Sequence, residues 1–321
     1  MKTAARLSAY GAAVVLFGAG AFATGATIDA PTAHLRPTAQ TADHGADPAA
    51  GHGAPTASRS TGPAGLASTE GGLTLTPTSS TLPAREASEL AFRITGPDGA
   101  AITGFDIEHE KRMHLIVVRS DTAYFQHLHP TMDPDGTWRA PITLPGGGTY
   151  RAFADFAPTD GEATTLGVDL FAPGTFAPVT PQANRSAIAP GGYEVTLDGV
   201  LEPGRSSPVT LTVTRRGQPV RDLQPYLGAY GHLVALRSGD LGYLHVHPDG
   251  APGDGTTEPG PGITFHTEVP STGTYRLFLD FQHDGQVRTA QFTVPTTGSA
   301  PAAPATPGSV ETGHPHTDGG H

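Results

Sequence analysis

The 321-residue chain predicts an all-β protein: two tandem β-sandwich domains between disordered N- and C-terminal tails. Three observations carry that expectation. Short alternating segments rich in Thr, Val, Leu and Tyr recur through the middle of the chain: Leu73–Thr76, Glu89–Thr95, Tyr150–Phe156, Val209–Thr214 and Tyr275–Phe281. Turn signals separate them, at Gly96-Pro97-Asp98-Gly99, Asp133-Pro134-Asp135-Gly136, Arg216-Gly217 and Asp284-Gly285. A strand period of two broken by frequent turns is the texture of an antiparallel sandwich, and no segment carries a convincing amphipathic helical stripe. The third observation is an internal repeat, which fixes the number of domains.

The elements follow in chain order. Lys2 and Arg6 precede an apolar run from Leu7 to Ala23, with small-residue cleavage sites at Ala21-Phe22-Ala23 and Thr24-Gly25-Ala26. Residues 1–26 therefore read as an export signal or an N-terminal membrane anchor, which places the protein outside the cytoplasm, secreted or in the cell envelope. Residues 27–70 are Ala, Thr, Pro, Gly and scattered His with no period, and read as a disordered linker. Repeat 1 then spans 71–174, a linker spans 175–192, repeat 2 spans 193–295, and 296–321 form a disordered His-containing tail. With 42 Gly and 31 Pro and only 37% apolar residues, the composition agrees with compact domains separated by unstructured stretches.

The repeat is detailed. His114-Leu-Ile-Val-Val-Arg119 matches His232-Leu-Val-Ala-Leu-Arg237, and Gln126-His127-Leu128-His129-Pro130 matches Leu244-His245-Val246-His247-Pro248. Gly148-Thr149-Tyr150-Arg151 matches Gly273-Thr274-Tyr275-Arg276, and Phe153-Ala154-Asp155-Phe156 matches Phe278-Leu279-Asp280-Phe281. The interval from the first His to the His-x-His pair is the same in both copies. A longer second copy is accommodated by the Gly/Pro-rich stretch Asp249–Gly262.

Within one copy, His127 and His129 sit two apart on a strand and share a face, while Leu128 points the other way. Tyr150, Ala152, Ala154 and Phe156 share one face of their strand; Arg151, Phe153 and Asp155 share the opposite one. His114, His127, His129 and Asp155 thus form a candidate coordination set, with Asp155 as a direct ligand or as the partner of an imidazole N–H. The second copy offers His232, His245, His247 and Asp280, enlarged by His266 and His283. Imidazole with carboxylate suits copper or zinc. The competing reading is that the same histidines are hydrogen-bonded structural groups. Met113 and Met132 flank the set and read as packing residues.

Charge and motif content narrow the function. With 19 basic and 30 acidic residues the net charge is −11, which disfavours nucleic acid. The absence of cysteine excludes thiolate zinc sites, iron–sulfur clusters and blue copper. No phosphate-binding loop, nucleophile elbow or His-Glu-x-x-His appears, so an enzyme is not expected.

The segment Lys111-Arg-Met-His-Leu-Ile-Val-Val-Arg-Ser-Asp, followed by His-Leu-His-Pro and Gly-Thr-Tyr-Arg-Ala-Phe-Ala-Asp-Phe, resembles bacterial exported proteins of a heavy-metal-binding or secreted type. The Arg-rich, Lys-poor composition resembles actinobacterial members. The resemblance covers both repeats and implies immunoglobulin-like or cupredoxin-like sandwiches associated with copper handling. The expected function is an exported protein that buffers or carries copper or zinc, with a metal ion as partner and membrane attachment through the N-terminal segment. The alternative is a structural or adhesive tandem sandwich whose histidines stabilise the fold.

Overall fold

A computed structural model describes residues 63–297 except Asp160 and His245, and only the backbone of His247. The signal or anchor and most of both tails lie outside the described residues. Among the described residues there is no helix, and hence none long and apolar enough to cross a membrane.

Repeat 1 contains β1 (Thr69–Glu70), β2 (Leu73–Pro77), β3 (Ala87–Thr95), β4 (His114–Arg119), β5 (Gln126–Leu128), β6 (Thr131–Met132), β7 (Thr137–Thr143), β8 (Gly148–Phe156) and β9 (Thr164–Ala172). Repeat 2 contains β10 (Ser186–Ala189), β11 (Tyr193–Gly199), β12 (Ser206–Arg215), β13 (Gln218–Pro219), β14 (His232–Arg237), β15 (Tyr243–Leu244), β16 (His247–Pro248), β17 (Gly262–Glu268), β18 (Thr274–His283) and β19 (Gln286–Pro295). Each repeat is a sandwich of two antiparallel sheets. In repeat 1 these are β1-β2-β3-β7-β6 and β5-β4-β8-β9. In repeat 2 they are β10-β11-β12-β17-β16, with β13 on β12, and β15-β14-β18-β19.

Two differences from the sequence reading concern the segments taken as linkers. Part of 27–70 is ordered: Ala64 bridges Tyr243, and Thr69–Glu70 form β1. Part of 175–192 is a strand, β10, paired to β11. Both segments are short of apolar residues, so periodicity does not reveal them; backbone pairing to an existing sheet edge orders them instead. The rest of the connection is fastened to repeat 1. Arg119, buried against Asp121 at 2.6 Å, donates to Ala177 O, and Asp121 accepts the Val179 N–H.

The two repeats share a third core. β8 sends Tyr150, Ala152, Ala154 and Phe156 into repeat 1, as its alternation predicts. Its other face, with Ile116 and Val118 of β4 and Phe153, packs on Val234, Leu236, Tyr243 and Phe278 of repeat 2. Every residue of β4 is consequently buried, and nearly every residue of β18. The order of layers is outer sheet, inner sheet, inner sheet, outer sheet. Phe125 stacks on Phe278 at 4.0 Å, and its counterpart Tyr243 meets Phe153 at 5.6 Å, so the contacts are exchanged as a pseudo-twofold relation requires.

Each sandwich carries a tyrosine corner at the start of its eighth-strand equivalent. Tyr150 Oη donates to Gly146 O at 2.8 Å, and Tyr275 Oη to Ser271 O at 2.9 Å. A buried tyrosine that ties its hydroxyl a few residues upstream belongs to immunoglobulin-type sandwiches.

Candidate metal centre at the interface between the repeats

The inner sheets bring the repeated polar residues face to face. In repeat 1, His114 of β4 is level with Asp155 of β8, and Asp155 with Thr165 of β9. In repeat 2, His232 is level with Asp280, and Asp280 with Thr289. Thr165 Oγ1 donates to Asp155 at 2.8 Å and Thr289 Oγ1 to Asp280 at 2.5 Å. These two His-Asp-Thr rows occupy the interface, and the rings of His114 and His232 lie parallel across it, 5.4 Å apart and 2° from coplanar orientation.

The second carboxylate oxygens cross between repeats. His127 Nδ1 bonds Asp280 Oδ2 at 2.8 Å, and Tyr243 Oη donates to Asp155 Oδ2 at 3.3 Å. The sequence expectation was one self-contained set per copy. The fold instead gives His127 of repeat 1 its carboxylate from repeat 2, because the interdomain core aligns the two rows.

Three histidines converge: His114, His127 and His129 each offer a ring nitrogen within 4.8 Å of the others. His-x-His behaves as its spacing predicts, with rings 4.7 Å apart and Leu128 turned into the core of repeat 1. His114 Nδ1 and His127 Nε2 are 3.1 Å apart. The opposite nitrogen of each ring faces an atom that can only accept: His114 Nε2 is 3.1 Å from Glu108 O, and His127 Nδ1 faces the Asp280 carboxylate. In neutral imidazole one nitrogen carries the proton. With both rings neutral, the protons therefore sit on the outer partners and two lone pairs turn toward each other. His129 Nε2 is buried with no hydrogen-bond partner.

A proton would relieve the opposed lone pairs, and burial disfavours one on His114 or on His129. Burial, against a partial lift from the Glu108 carbonyl, holds His114 at about 4. Burial, then His127 and His114, hold His129 at about 3. Nearby, burial and the Asp280 charge push Tyr226 up to about 12, and burial with Asp155 holds Tyr243 well above the usual tyrosine range. A cavity of ≈ 10 Å³ lies among Glu108, His109, Lys111, His114 and Asp155, about one solvent-sized sphere.

The remaining candidate ligands separate. His266 is exposed on β17, level with His247 of β16. His283 is buried inside repeat 2, bonded through Nδ1 to Tyr193 Oη at 2.6 Å and through Nε2 to Asp222 at 3.0 Å. Neither joins the trio, so the second copy is not enlarged by them: β17 belongs to the outer sheet, away from the partner repeat, and on β18 the side chain of His283 points into repeat 2 while Phe278 faces the partner. His245 and the His247 side chain lie outside the described residues. Met113 and Met132 pack in the core of repeat 1.

Sequence reasoning missed His109, Tyr226 and Tyr243. His109 sits in a two-residue hairpin, Glu108–Lys111, and its ring is 6.1 Å from His114 and 5.7 Å from His232. Both central residues have positive φ, His109 at 47° and Glu110 at 66°, where such turns favour Asn-Gly. The equivalent hairpin in repeat 2, Tyr226–Ala229, uses Leu227 and Gly228. The signal was available in Glu-His-Glu, five residues before the first repeated histidine.

Comparison with known proteins adds a family. A family model described as Domain of unknown function (DUF8832) matches residues 67–172 and again 187–298. No curated protein matches the chain. Among solved structures, similarity extends to the Escherichia coli adhesin FdeC (16% identity, 70% of this chain and 64% of that one, TM-score 0.21). InvD of Yersinia pseudotuberculosis shows 15% identity over 74% of this chain and 61% of that one, TM-score 0.23. Invasin, a bacterial integrin-binding protein, shows 16% identity over 73% and 40%, TM-score 0.21. The chain spans less than two thirds of each of these three, and likenesses at these scores carry no functional argument.

Proposed function

The chain belongs to that family of Domain of unknown function (DUF8832), and we propose that it holds one copper or zinc ion at the interface between its repeats, as an exported metal-buffering or metal-carrying protein. The observation that carries this reading is the opposed pair of lone pairs. Two imidazole nitrogens 3.1 Å apart, each with its other nitrogen fixed on an acceptor, are unfavourable to each other unless a cation lies between them. Ligands about 2.0–2.1 Å from a tetrahedral ion stand roughly 3.3 Å apart, close to that separation. His129 Nε2 supplies a third nitrogen that otherwise has no partner. Asp280 fixes the His127 tautomer and ring orientation, the role carboxylates take behind metal-bound imidazoles. With thioethers packed away and no thiolate, the donor set favours Cu(II) or Zn(II) over Cu(I).

A second reading has its own observation. The His127–Asp280 bond joins the repeats whether or not an ion is present, beside the apolar cluster they share. Under that reading the chain is a structural or adhesive envelope module and the histidines set how its two sandwiches dock.

His129→Gln separates the two. Because His129 Nε2 makes no hydrogen bond, the substitution removes a ligand at little cost to the metal-free fold. Calorimetric titration of the full chain with Zn(II) and Cu(II) should show one equivalent that the variant loses, with the melting temperature of the metal-free protein nearly unchanged. Contributions from tail histidines cancel in the difference. Identical titrations for both proteins would leave the structural reading standing.

A further inference from the structure

The two repeats differ at one buried charge. Arg151 and Arg276 are equivalent, each with its guanidinium over the following aromatic ring, Phe153 at 5.9 Å and Phe278 at 5.1 Å. Arg151 is neutralised: the residue level with it on β9 is Asp169, and their side chains meet at 2.8 Å. Its Nε and Nη2 donate to Gly65 O at 3.0 and 2.9 Å. That contact requires Gly167, where any Cβ would lie 1.8 Å from the Gly65 carbonyl oxygen.

At Arg276 both partners are replaced. Thr293 stands level with it where repeat 1 has Asp169, and Gln291 takes the register position of Gly167. Arg276 therefore donates to Phe292 O at 3.0 Å, Thr293 Oγ1 at 2.5 Å and Gln291 Oε1 at 3.0 Å, all neutral acceptors. Its Nε is buried with no partner, and the residue is only 6% exposed. A buried cation without a counter-ion is costly, and burial lowers the affinity of this guanidinium for its proton.

Arg276 also lines a cleft of ≈ 240 Å³ between the repeats, at the end of the interface opposite the histidines. Ser120, Thr122, Thr180, Ser238 and Thr274 contribute to its wall. Asp121 is the one carboxylate there among the described residues. It is already saturated, paired with Arg119 and accepting the Val179 and Ala123 N–H groups. Arg276 is thus the charged group of the lining that no opposite charge balances.

We propose that this cleft binds a small oxyanion, a phosphate or carboxylate group, which supplies Arg276 with the counter-charge that Asp169 gives Arg151. Ligand pockets for larger molecules run to roughly 300–1,000 Å³, so the size, the hydroxyl-lined wall and the single guanidinium suit a small anion.

The test measures the melting temperature of the full chain against sodium phosphate and, separately, sodium acetate, at constant ionic strength with chloride as the reference. A saturable rise of about 2–4 °C with either anion is expected. The responsive anion identifies the source chemistry. Thr293→Asp, which restores the arrangement of repeat 1, should abolish the response while keeping or raising the melting temperature without anion. Arg276→Gln should abolish it too. A rise that does not saturate, or that persists unchanged in Thr293→Asp, is the general salting effect of excluded anions and overturns the proposal, as does no rise with either anion.

Discussion

The inner and outer sheets of this molecule obey different rules although they derive from the same repeat. On the outer sheets, β3 and β12 alternate buried and exposed residues along their length, because one face meets water. On the inner sheets, β4 is buried throughout, since a second sandwich covers the face that would otherwise be solvated. The polar residues on this doubly covered surface include the His, Asp and Thr rows, whose two aspartates accept hydrogen bonds across strands and between repeats, and Arg276. Polar groups in such a place must be satisfied by one another or by a bound ion, and the inner sheets are accordingly where chemistry concentrates.

The sharpest way to break this contrast is to hollow the shared core. Phe153→Ala removes a fully buried ring from the face between repeats and should cost about 3–5 kcal/mol. Because both sandwiches use that face, calorimetry should show both destabilised together. Two independent transitions, one of them unchanged, would mean that the sandwiches are separable and the inner sheets not special.

Acid should act on the inner sheets selectively. The folded protein holds His114 at about 4 and His129 at about 3, below the free value near 6.5. The unfolded chain therefore binds more protons between those values, so stability drops as pH is lowered through that window. For metal-free protein, the contribution from His114, on the order of 3 kcal/mol, is complete above pH 6.5 and lost as pH falls toward 4. Denaturant melts at pH 7.5 and 5 measure it, and His114→Gln should flatten the dependence. A dependence that His114→Gln leaves intact would move the acid sensitivity elsewhere.

The smallest effect tests the turn that carries His109. Glu110→Gly copies Gly228 of repeat 2 at a position with φ of 66° and should stabilise by about 0.5–1 kcal/mol. A loss would show that Glu110 makes a compensating contact.

Much of this was legible beforehand, and the exceptions have physical causes. The alternation of β2, β3, β8, β12 and β18 identified them as strands, and the split faces of β8 fell as read, Tyr150 inward and Phe153 outward. A run such as Leu115–Val118 reports that both faces are covered, but periodicity does not say by what. The trio His114, His127 and His129 was visible through repetition, because spacing within one copy fixes spacing in space. The crossing of His127 to Asp280 was not, since it depends on how two sandwiches dock, which apolar contacts such as Phe125 on Phe278 decide. His266 and His283 were read as enlarging the second copy's set; His266 lies exposed on an outer sheet and His283 points into the core of repeat 2, which separates both from the site.

The exchanged contacts across the pseudo-twofold also bear on what one repeat would do alone. A single repeat would leave Ile116, Val118 and Phe153 as a contiguous apolar face, and the surface complementary to it is the same face of another copy. In a homodimer of one such repeat, every residue near the axis would have to serve twice. Two copies in one polypeptide are free of that constraint: here one half has an aspartate beside its arginine where the other has a threonine, and one hairpin holds a histidine that its twin lacks.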